Sequence, residues 1–288
     1  MPDRKQAPVI VDAVDFDLRL KQAEKIVLNN GVEVYAVNAG AEEVMSVEWV
    51  FYAGNWFENK NLVAATSNFL LRNGTSSKTA FQLNEHFEYY GAYLNRACYN
   101  ETATITLHCL NKHIQELLPV VRELITDSLM PQEELDTYRQ NMMQRLKVNL
   151  KKSDFVASRL IDAYVYGEQH PYGKYTRLED FDTLNREELI AFYKQYYQQG
   201  KFVMFIAGRL PSGWQEQINH YFGDLPNNGG DMNNISKDPL AEKKSRIIND
   251  AEGVQGSIRM ARPFYNRHHP DFVKAMVLNT LFGGFFGS

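Results

Sequence analysis

The chain has 288 residues, of which 44% are hydrophobic and 23% are charged, and this is the composition of an ordinary folded protein. Its formal net charge is -4 and its isoelectric point is about 6.0. A chain without a basic excess has little to neutralise a phosphate backbone or an anionic membrane surface. These numbers exclude a disordered or fibrous chain and argue against nucleic acid or a membrane as a partner.

The N-terminal segment and the cysteines bear on location. Charges at Asp3, Arg4 and Lys5 interrupt any apolar run before it reaches the length of a signal peptide. No later segment is apolar for long enough to span a bilayer. Cys98 and Cys109 lack the paired spacing of a zinc knuckle or a redox motif. We therefore expect two reduced, buried thiols in a cytoplasmic protein.

The first predicted elements are strands. In residues 25–38, an Asn30-Gly31 pair separates two runs of alternating apolar residues, which is a strong signal for a β-hairpin. Residues 44–53 are apolar enough to form a central strand, which Gly54 ends. A sheet is expected to begin here.

Two helices and a strand region come next. A helix is predicted over residues 61–72, with Gly74 beyond its end as a left-handed cap. A second helix, over residues 81–90, stops at Gly91, and residues 93–109 are rich in the Thr, Ile and Tyr that suit a strand hairpin. The apolar positions that recur at helical spacing in the first helix are Leu62, Ala65, Phe69 and Leu70.

The remainder of the first unit is mostly helical. A strand over residues 202–207, closed by Gly208, follows the main block of helices and precedes a helix over residues 212–222. The pattern predicts an α+β fold in which helices cover one face of a mixed or antiparallel sheet. The helices of the main block are predicted at residues 114–128, 132 to about 152, 156–166 and 186–197.

The composition changes after Leu225, where Gly, Asn and Asp become dense. We predict a first domain over residues 1–226, a linker over 227–240, and the beginning of a second, truncated domain over 241–288. In that last part a strand is expected at 256–262 and a helix at 271–282.

The order of these segments resembles the pitrilysin/insulinase-type zinc peptidases, with their mitochondrial-processing-peptidase-like metallohydrolase fold. The resemblance covers nearly the whole chain, and the order of its segments is more specific than any one of them. It rests on Asn73-Gly74-Thr75 after the first helix, on Asn95 and Glu101 in the strands that follow, and on the tracts at 159–184, 202–211, 254–263 and 269–288.

The resemblance assigns a catalytic motif to the first helix. Active members carry an inverted His-x-x-Glu-His motif there, in which the histidines bind zinc and the glutamate acts as the base. Counting back from Gly74 places these three roles on Ala65, Asn68 and Phe69. The third zinc ligand, a glutamate on the long helix, falls on Arg145 to within a residue.

None of the residues at these positions suits its role. A methyl group and a phenyl ring offer no lone pair, an amide does not take up a proton, and a guanidinium repels a divalent cation. A catalytic zinc site needs about three protein ligands. We therefore expect no catalytic residue, no metal ligand and no cofactor here, with zinc confined to active relatives.

The resemblance also indicates peptide contacts. Asn95 and Arg96 match the edge strand that pairs with extended substrate, although Arg96 replaces the usual alanine. An asparagine with a purely structural turn role is an equal alternative. Gly283 and Gly284 match a flexible turn of the second domain, which in the family precedes a substrate-binding arginine and tyrosine. The chain ends before that arginine.

The remaining aromatic and imidazole groups have simpler interpretations. Core packing accounts for most of a local tyrosine cluster, and a peptide-contact surface is the alternative. The histidines are expected in surface or core positions, with an unconventional metal site as the alternative. The tyrosines are Tyr89, Tyr90, Tyr93 and Tyr99, and the histidines considered are His86, His108, His113, His268 and His269.

Three functions follow from the resemblance. The preferred one is a non-catalytic subunit that pairs with a zinc-bearing homologue to enclose a peptide-binding chamber. The first alternative is a homo-oligomeric module, such as a homodimer, that binds peptides or serves as a scaffold. The second is an active zinc metalloendopeptidase that uses unconventional ligands.

Overall fold

The computed structural model describes residues 19, 21–228, 238, 245–248 and 255–284. Most of the predicted linker at 227–240 lies outside the described residues, and the division into two domains stays a prediction. Within the described ranges, no helix combines the length and the apolar character needed to cross a bilayer.

The described strands form one six-stranded sheet with the order β1-β2-β6-β3-β5-β4. Strands β2 and β6 run parallel, and the other neighbours are antiparallel. The prediction of a mixed sheet with a central third strand is confirmed. The strands are β1 (Glu24–Val27), β2 (Glu33–Asn38), β3 (Val44–Phe51), β4 (Tyr93–Cys98), β5 (Ala103–Leu110) and β6 (Phe202–Gly208).

The helices agree with the sequence prediction within a few residues. They are α1 (Val63–Leu70), α2 (Ala80–Tyr89), α3 (Ile114–Asp127), α4 (Gln132–Asn149), α5 (Ser153–Tyr166), α6 (Asp180–Thr183), α7 (Arg186–Tyr193), α8 (Trp214–Phe222) and α9 (Phe272–Asn279). Turns of π-helix continue α7 over Lys194–Gln198 and α9 over Thr280–Gly284. The short helix α6 and the 3-10 turns at Asn55–Phe57 and Asn111–His113 were not predicted.

The predicted hairpin turn is fixed by both of its residues. Gly31 adopts a φ of +83°, which glycine reaches at little cost. The Asn30 side-chain amide donates to the carbonyls of Phe222 and Leu225 at 2.9 and 2.7 Å. The turn between β1 and β2 is therefore bonded to the end of α8.

Helices cover one face of the sheet, as predicted. Alternate residues of β3 are fully buried on that face. The Trp49 ring lies 5.0 Å from the Phe222 ring of α8, and the Phe51 ring lies 4.9 Å from the Tyr197 ring. The main core therefore lies between β3 and these helices.

The opposite face of the sheet is more exposed. A row of directly paired residues crosses it from β2 to β4. A shallow groove of about 350 Å³ lies between Tyr35, Glu48 and Phe205, and the Phe205 side chain is 43% exposed. The row consists of Tyr35, Phe205, Glu48, Thr106 and Asn95.

The prediction of a strand at residues 256–262 is wrong. These residues are mostly exposed, they have no regular secondary structure, and they pair with no strand among the described residues. A strand needs a neighbour to satisfy its N–H and C=O groups, and alternation in a sequence does not supply one. The helix predicted just after it is present as α9 and its π-helical turn.

Candidate functional site

Helix α1 carries the positions that the resemblance assigns to zinc binding. Its side toward the sheet and α7 is buried, and Ser67 Oγ donates to the Leu189 carbonyl at 3.4 Å. Ala65 is only partly buried, and Phe69 is 39% exposed. The residues buried instead are Val63, Ala64, Thr66, Ser67, Asn68 and Leu70.

Asn68, at the predicted position of the catalytic base, is turned inward. Its Nδ2 donates to the Thr104 carbonyl at 3.2 Å and to the Tyr197 hydroxyl at 3.1 Å. Burial raises the pKa of Tyr197, which keeps this hydroxyl neutral. Asn68 therefore connects α1 to β5 and to the turn after α7, and its amide cannot accept a proton from water.

Phe69, at the predicted position of the second histidine, is covered by two side chains. The Tyr138 ring of α4 lies 4.7 Å from its ring. The Arg96 guanidinium of β4 lies 5.1 Å from the centre of the same ring, and its Nη1 donates to the Phe69 carbonyl. A cation and two aromatic rings thus occupy this side of α1.

Arg96 is a mostly buried cation. Burial lowers the pKa of Arg96 to about 10, and repulsion from Arg72 adds to this effect. The guanidinium is therefore still charged at neutral pH. Its Nε is buried and meets no acceptor among the described residues. Arg72 lies just past α1, and its Nη1 donates to the Leu94 carbonyl of β4 at 3.2 Å.

The loop after α1 sets the position of α4. The Asn73 amide donates to the Glu134 carboxylate of α4 at 2.7 Å. Gly74 has a φ of +133° and forms an isolated bridge with Thr79, so the prediction that it caps the helix is wrong. The cap prediction fails because α1 already ends at Leu70.

Arg145 is exposed on α4. It lies about two helical turns beyond Tyr138 on the same face, since residues seven apart nearly eclipse each other. Tyr138, which the sequence reasoning did not single out, is the α4 residue that contacts Phe69. Its long-range contact with α1 gives no signal in a sequence pattern.

The residues on this side of α1 do not fit a zinc ion. The side chains of Ala65 and Phe69 have no lone pair that could bind a metal ion, and both Asn68 amide hydrogens are already bonded to protein oxygens. In the described part of the chain, no three His, Cys, Asp or Glu side chains are grouped to hold a metal ion. The histidines near the sheet contact other groups: His86 the Glu116 carbonyl, His108 the Tyr93 ring and His113 the Tyr90 ring.

A buried carboxylate that the sequence reasoning missed lies at the other end of α1. Glu58 Oε2 accepts a hydrogen bond from the Ala64 backbone N–H at 3.0 Å. Burial raises the pKa of Glu58 to about 7. Burial likewise raises the pKa of Cys98 and of Cys109 to about 12, so both free thiols stay protonated. A carboxylate shortly before a helix start was the available signal for Glu58.

Strand β4 lies at one edge of the sheet, as predicted for Asn95 and Arg96. Asn95 is exposed opposite Thr106 on the open face, whereas the Arg96 side chain lies on the helix side. Peptide contact at either residue stays a prediction. Core packing was the wrong interpretation for most of the tyrosine cluster, because Tyr89, Tyr93 and Tyr99 are 81, 64 and 58% exposed.

Gly283 and Gly284 are not brought to this edge by any contact of the described residues. They lie in the exposed π-helical turn after α9. A Cβ at Gly283 would meet nothing within 4 Å, and one at Gly284 would meet only Asn279 and Thr280. Their predicted contact with peptide is untested.

The tract at 159–184 packs onto the turn between β3 and α1. The Trp56 ring lies 5.7 Å from His170 and 5.3 Å from Tyr172. The Tyr172 hydroxyl donates to Glu101, which precedes β5. Two segments quoted for the resemblance, far apart in the chain, therefore meet beside the start of α1.

Two protein families match different parts of the chain. Residues 34–173 match the family described as insulinase (peptidase family M16), and residues 183–288 match the peptidase M16 inactive domain. The two matches leave little of the chain uncovered beyond its N-terminal residues.

Relatives agree with these matches. A probable mitochondrial-processing peptidase subunit beta of Schizosaccharomyces pombe is 23% identical over 276 residues, which cover 92% of this chain and 59% of that protein. The cytochrome b-c1 complex subunit 1 of Caenorhabditis elegans is 21% identical over 77% of this chain and 48% of its own length. The chain spans about half the length of the curated relatives it matches.

Solved structures share the fold. The crystal structure of a peptidase M16 inactive domain from Pseudomonas fluorescens has a TM-score of 0.65 at 21% identity, covering 72% of this chain and 52% of that one. The periplasmic protease PqqL from Escherichia coli has a TM-score of 0.64 at 16% identity, covering 76% of this chain and 25% of that one. The two family matches together cover most of the chain and show that it belongs to the insulinase, or M16, family of peptidases.

Proposed function

We propose that this chain is a non-catalytic M16 subunit that holds an extended peptide along β4 and pairs with a zinc-bearing homologue to enclose a peptide-binding chamber. The observation that carries the proposal is the chemistry on the open side of α1. Ala65 and Phe69 offer no metal ligand, and the Arg96 guanidinium lies over the Phe69 ring.

The electrostatics of this side also oppose a metal. A charged guanidinium close to a zinc position repels the ion, and moving it away breaks the bond between Arg96 Nη1 and the Phe69 carbonyl. Asn68 bonds inward and an amide is not a base, so the residue at the position assigned to the base does not activate a bound water. These residues stabilise the local structure in place of a catalytic centre.

One observation supports a role in an assembly, and another supports peptide binding. Two relatives are named as subunits, one of mitochondrial-processing peptidase and one of the cytochrome b-c1 complex. Strand β4 is an edge strand with Asn95 exposed, and an edge strand has unpaired N–H and C=O groups that an extended peptide can meet.

The test is to purify the chain alone and together with an M16 homologue that carries His-x-x-Glu-His. We expect the two to co-purify and a fluorogenic peptide to be cleaved by the mixture only. A control mixture with a homologue whose motif glutamate is changed to glutamine should be inactive. Cleavage by the lone chain, or a homologue whose activity is unchanged by the chain, would contradict the proposal.

A further inference from the structure

Arg72 and Arg96 form an unusual pair of cations beside the edge strand. Within the described residues, no carboxylate makes an ion pair with either guanidinium, and the charge interactions of Arg72 with Tyr93 and then Glu88 are weaker than the effect of its burial. Arg122, by contrast, makes an ion pair with Asp224 at 2.5 Å. The pair therefore has positive charge that the described part of the chain does not balance.

Burial makes this imbalance costly. Arg96 is the more buried of the two, and the positive charge of Arg72 further disfavours its charged form. Two like charges withdrawn from water destabilise the fold unless an anion joins them. A bound anion would remove that cost. The free energy of anion binding would therefore include the relief of the repulsion between Arg72 and Arg96.

The geometry leaves donors for such an anion. Each guanidinium has five N–H groups. The described hydrogen bonds use Nη1 of Arg96 on the Phe69 carbonyl and Nη1 of Arg72 on the Leu94 carbonyl. The buried Nε of Arg96 meets no acceptor. Planar, forked donors of this kind match a carboxylate.

The pair lies where a peptide side chain would reach. Leu94 and Arg96 are two apart on β4, so both side chains lie on the helix side of the sheet. A peptide strand added to β4 places alternate side chains on that same side. One of them would point toward Arg96 and Arg72.

We infer that Arg72 and Arg96 together form a carboxylate-binding site that selects peptides with an acidic group at the residue facing the helix side of β4. The inference rests on the proposed function, since it names the class of peptide that the edge strand holds. The carboxylate comes either from an Asp or Glu side chain or from the C-terminus of the peptide.

The test is a fluorescence-anisotropy titration of three labelled peptides with the same β-prone sequence. The first has one internal Glu and an amidated C-terminus, the second has Gln there and a free C-terminus, and the third has Gln and an amidated C-terminus. We expect the first or the second to bind about tenfold more tightly than the third, which is the effect of a charge-assisted hydrogen bond. Whichever binds more tightly identifies the source of the carboxylate.

Variants assign the preference to the pair. Arg72→Gln and Arg96→Gln should each remove most of the preference, and Arg96→Lys should restore only part of it, because a lysine lacks the fork. Arg209→Gln removes an equal charge at the far end of β6 and should leave the preference unchanged. If Arg96→Gln fails to fold by circular dichroism, Arg72→Gln carries the test.

The outcomes separate the two proposals. If the three peptides bind equally well, or if the preference survives both Gln variants, the arginines have a structural role only and the inference is overturned while the edge-strand proposal stands. If no peptide binds the lone chain or its complex with the homologue, the peptide-holding function itself is wrong.

Discussion

At the scale of single residues, the positions that the resemblance assigns to catalysis make structural contacts. The amide of Asn68 bonds β5 and Tyr197, and the ring of Phe69 lies between Tyr138 and Arg96. These contacts are local and specific. They make the helix a part of the packed structure.

Asn68→Ala should destabilise the fold by about 1–3 kcal/mol, because the buried Thr104 carbonyl and Tyr197 hydroxyl lose their shared donor. Urea unfolding followed by circular dichroism measures the loss. Asn95→Ala, an exposed change on the same fold, should stay within about 0.5 kcal/mol of the parent. Equal stabilities of the two variants would contradict the role given to Asn68.

Glu58 should make stability depend on pH. Its folded pKa of about 7 lies above the ordinary value of 4.5, so the folded state holds the proton to a higher pH than the unfolded state does. This group's contribution is therefore greatest below pH 4.5, falls as the pH rises to about 7, and is constant above that. The fall amounts to about 3 kcal/mol.

Glu58→Gln removes the titration and should flatten that part of the curve of unfolding free energy against pH. The exposed change Glu187→Gln is the matched control and should leave the curve as it is. A Glu58→Gln protein that loses stability between pH 5 and 7 as steeply as the parent would show that another group is responsible.

At the scale of elements, strands and helices followed from sequence where local chemistry decides them. The Asn30-Gly31 turn and the interior position of β3 in the sheet were predicted correctly. The side of α1 that is buried was not, because small and apolar residues surround this helix and periodicity does not say which face meets the sheet. The Arg96 contact with Phe69 was missed since it depends on how two distant elements pack.

The turn after β3 needs glycine for a reason that only the fold reveals. A Cβ at Gly54 would lie 2.5 Å from the Tyr99 carbonyl in the turn between β4 and β5. Gly54→Ala should therefore cost about 2 kcal/mol or more, measured by urea unfolding. Gly256→Ala, where a Cβ meets nothing within 4 Å, is the control and should be neutral. A neutral Gly54→Ala would mean that the two turns do not approach so closely.

At the scale of the whole molecule, the sheet and its helices share the fold of M16 structures, and the two family matches together span most of the chain. Helix α9 has exposed apolar side chains at Val273, Met276, Val277 and Leu278, among the residues that match the inactive domain. The family's segment order was recognisable in the sequence because it combines many weak signals. The contacts of the residues at the motif positions could not be predicted in this way, because they depend on neighbours that are distant in the sequence.

The central claim is that this M16 chain holds no catalytic zinc, and metal analysis of the purified protein tests it most directly. The chain is dialysed against micromolar zinc, freed of unbound metal, and measured by inductively coupled plasma mass spectrometry beside a His-x-x-Glu-His homologue. The account predicts about one zinc per homologue chain and far less than one for this chain. About one tightly held zinc here, removed by a chelator together with peptide cleavage, would contradict the account.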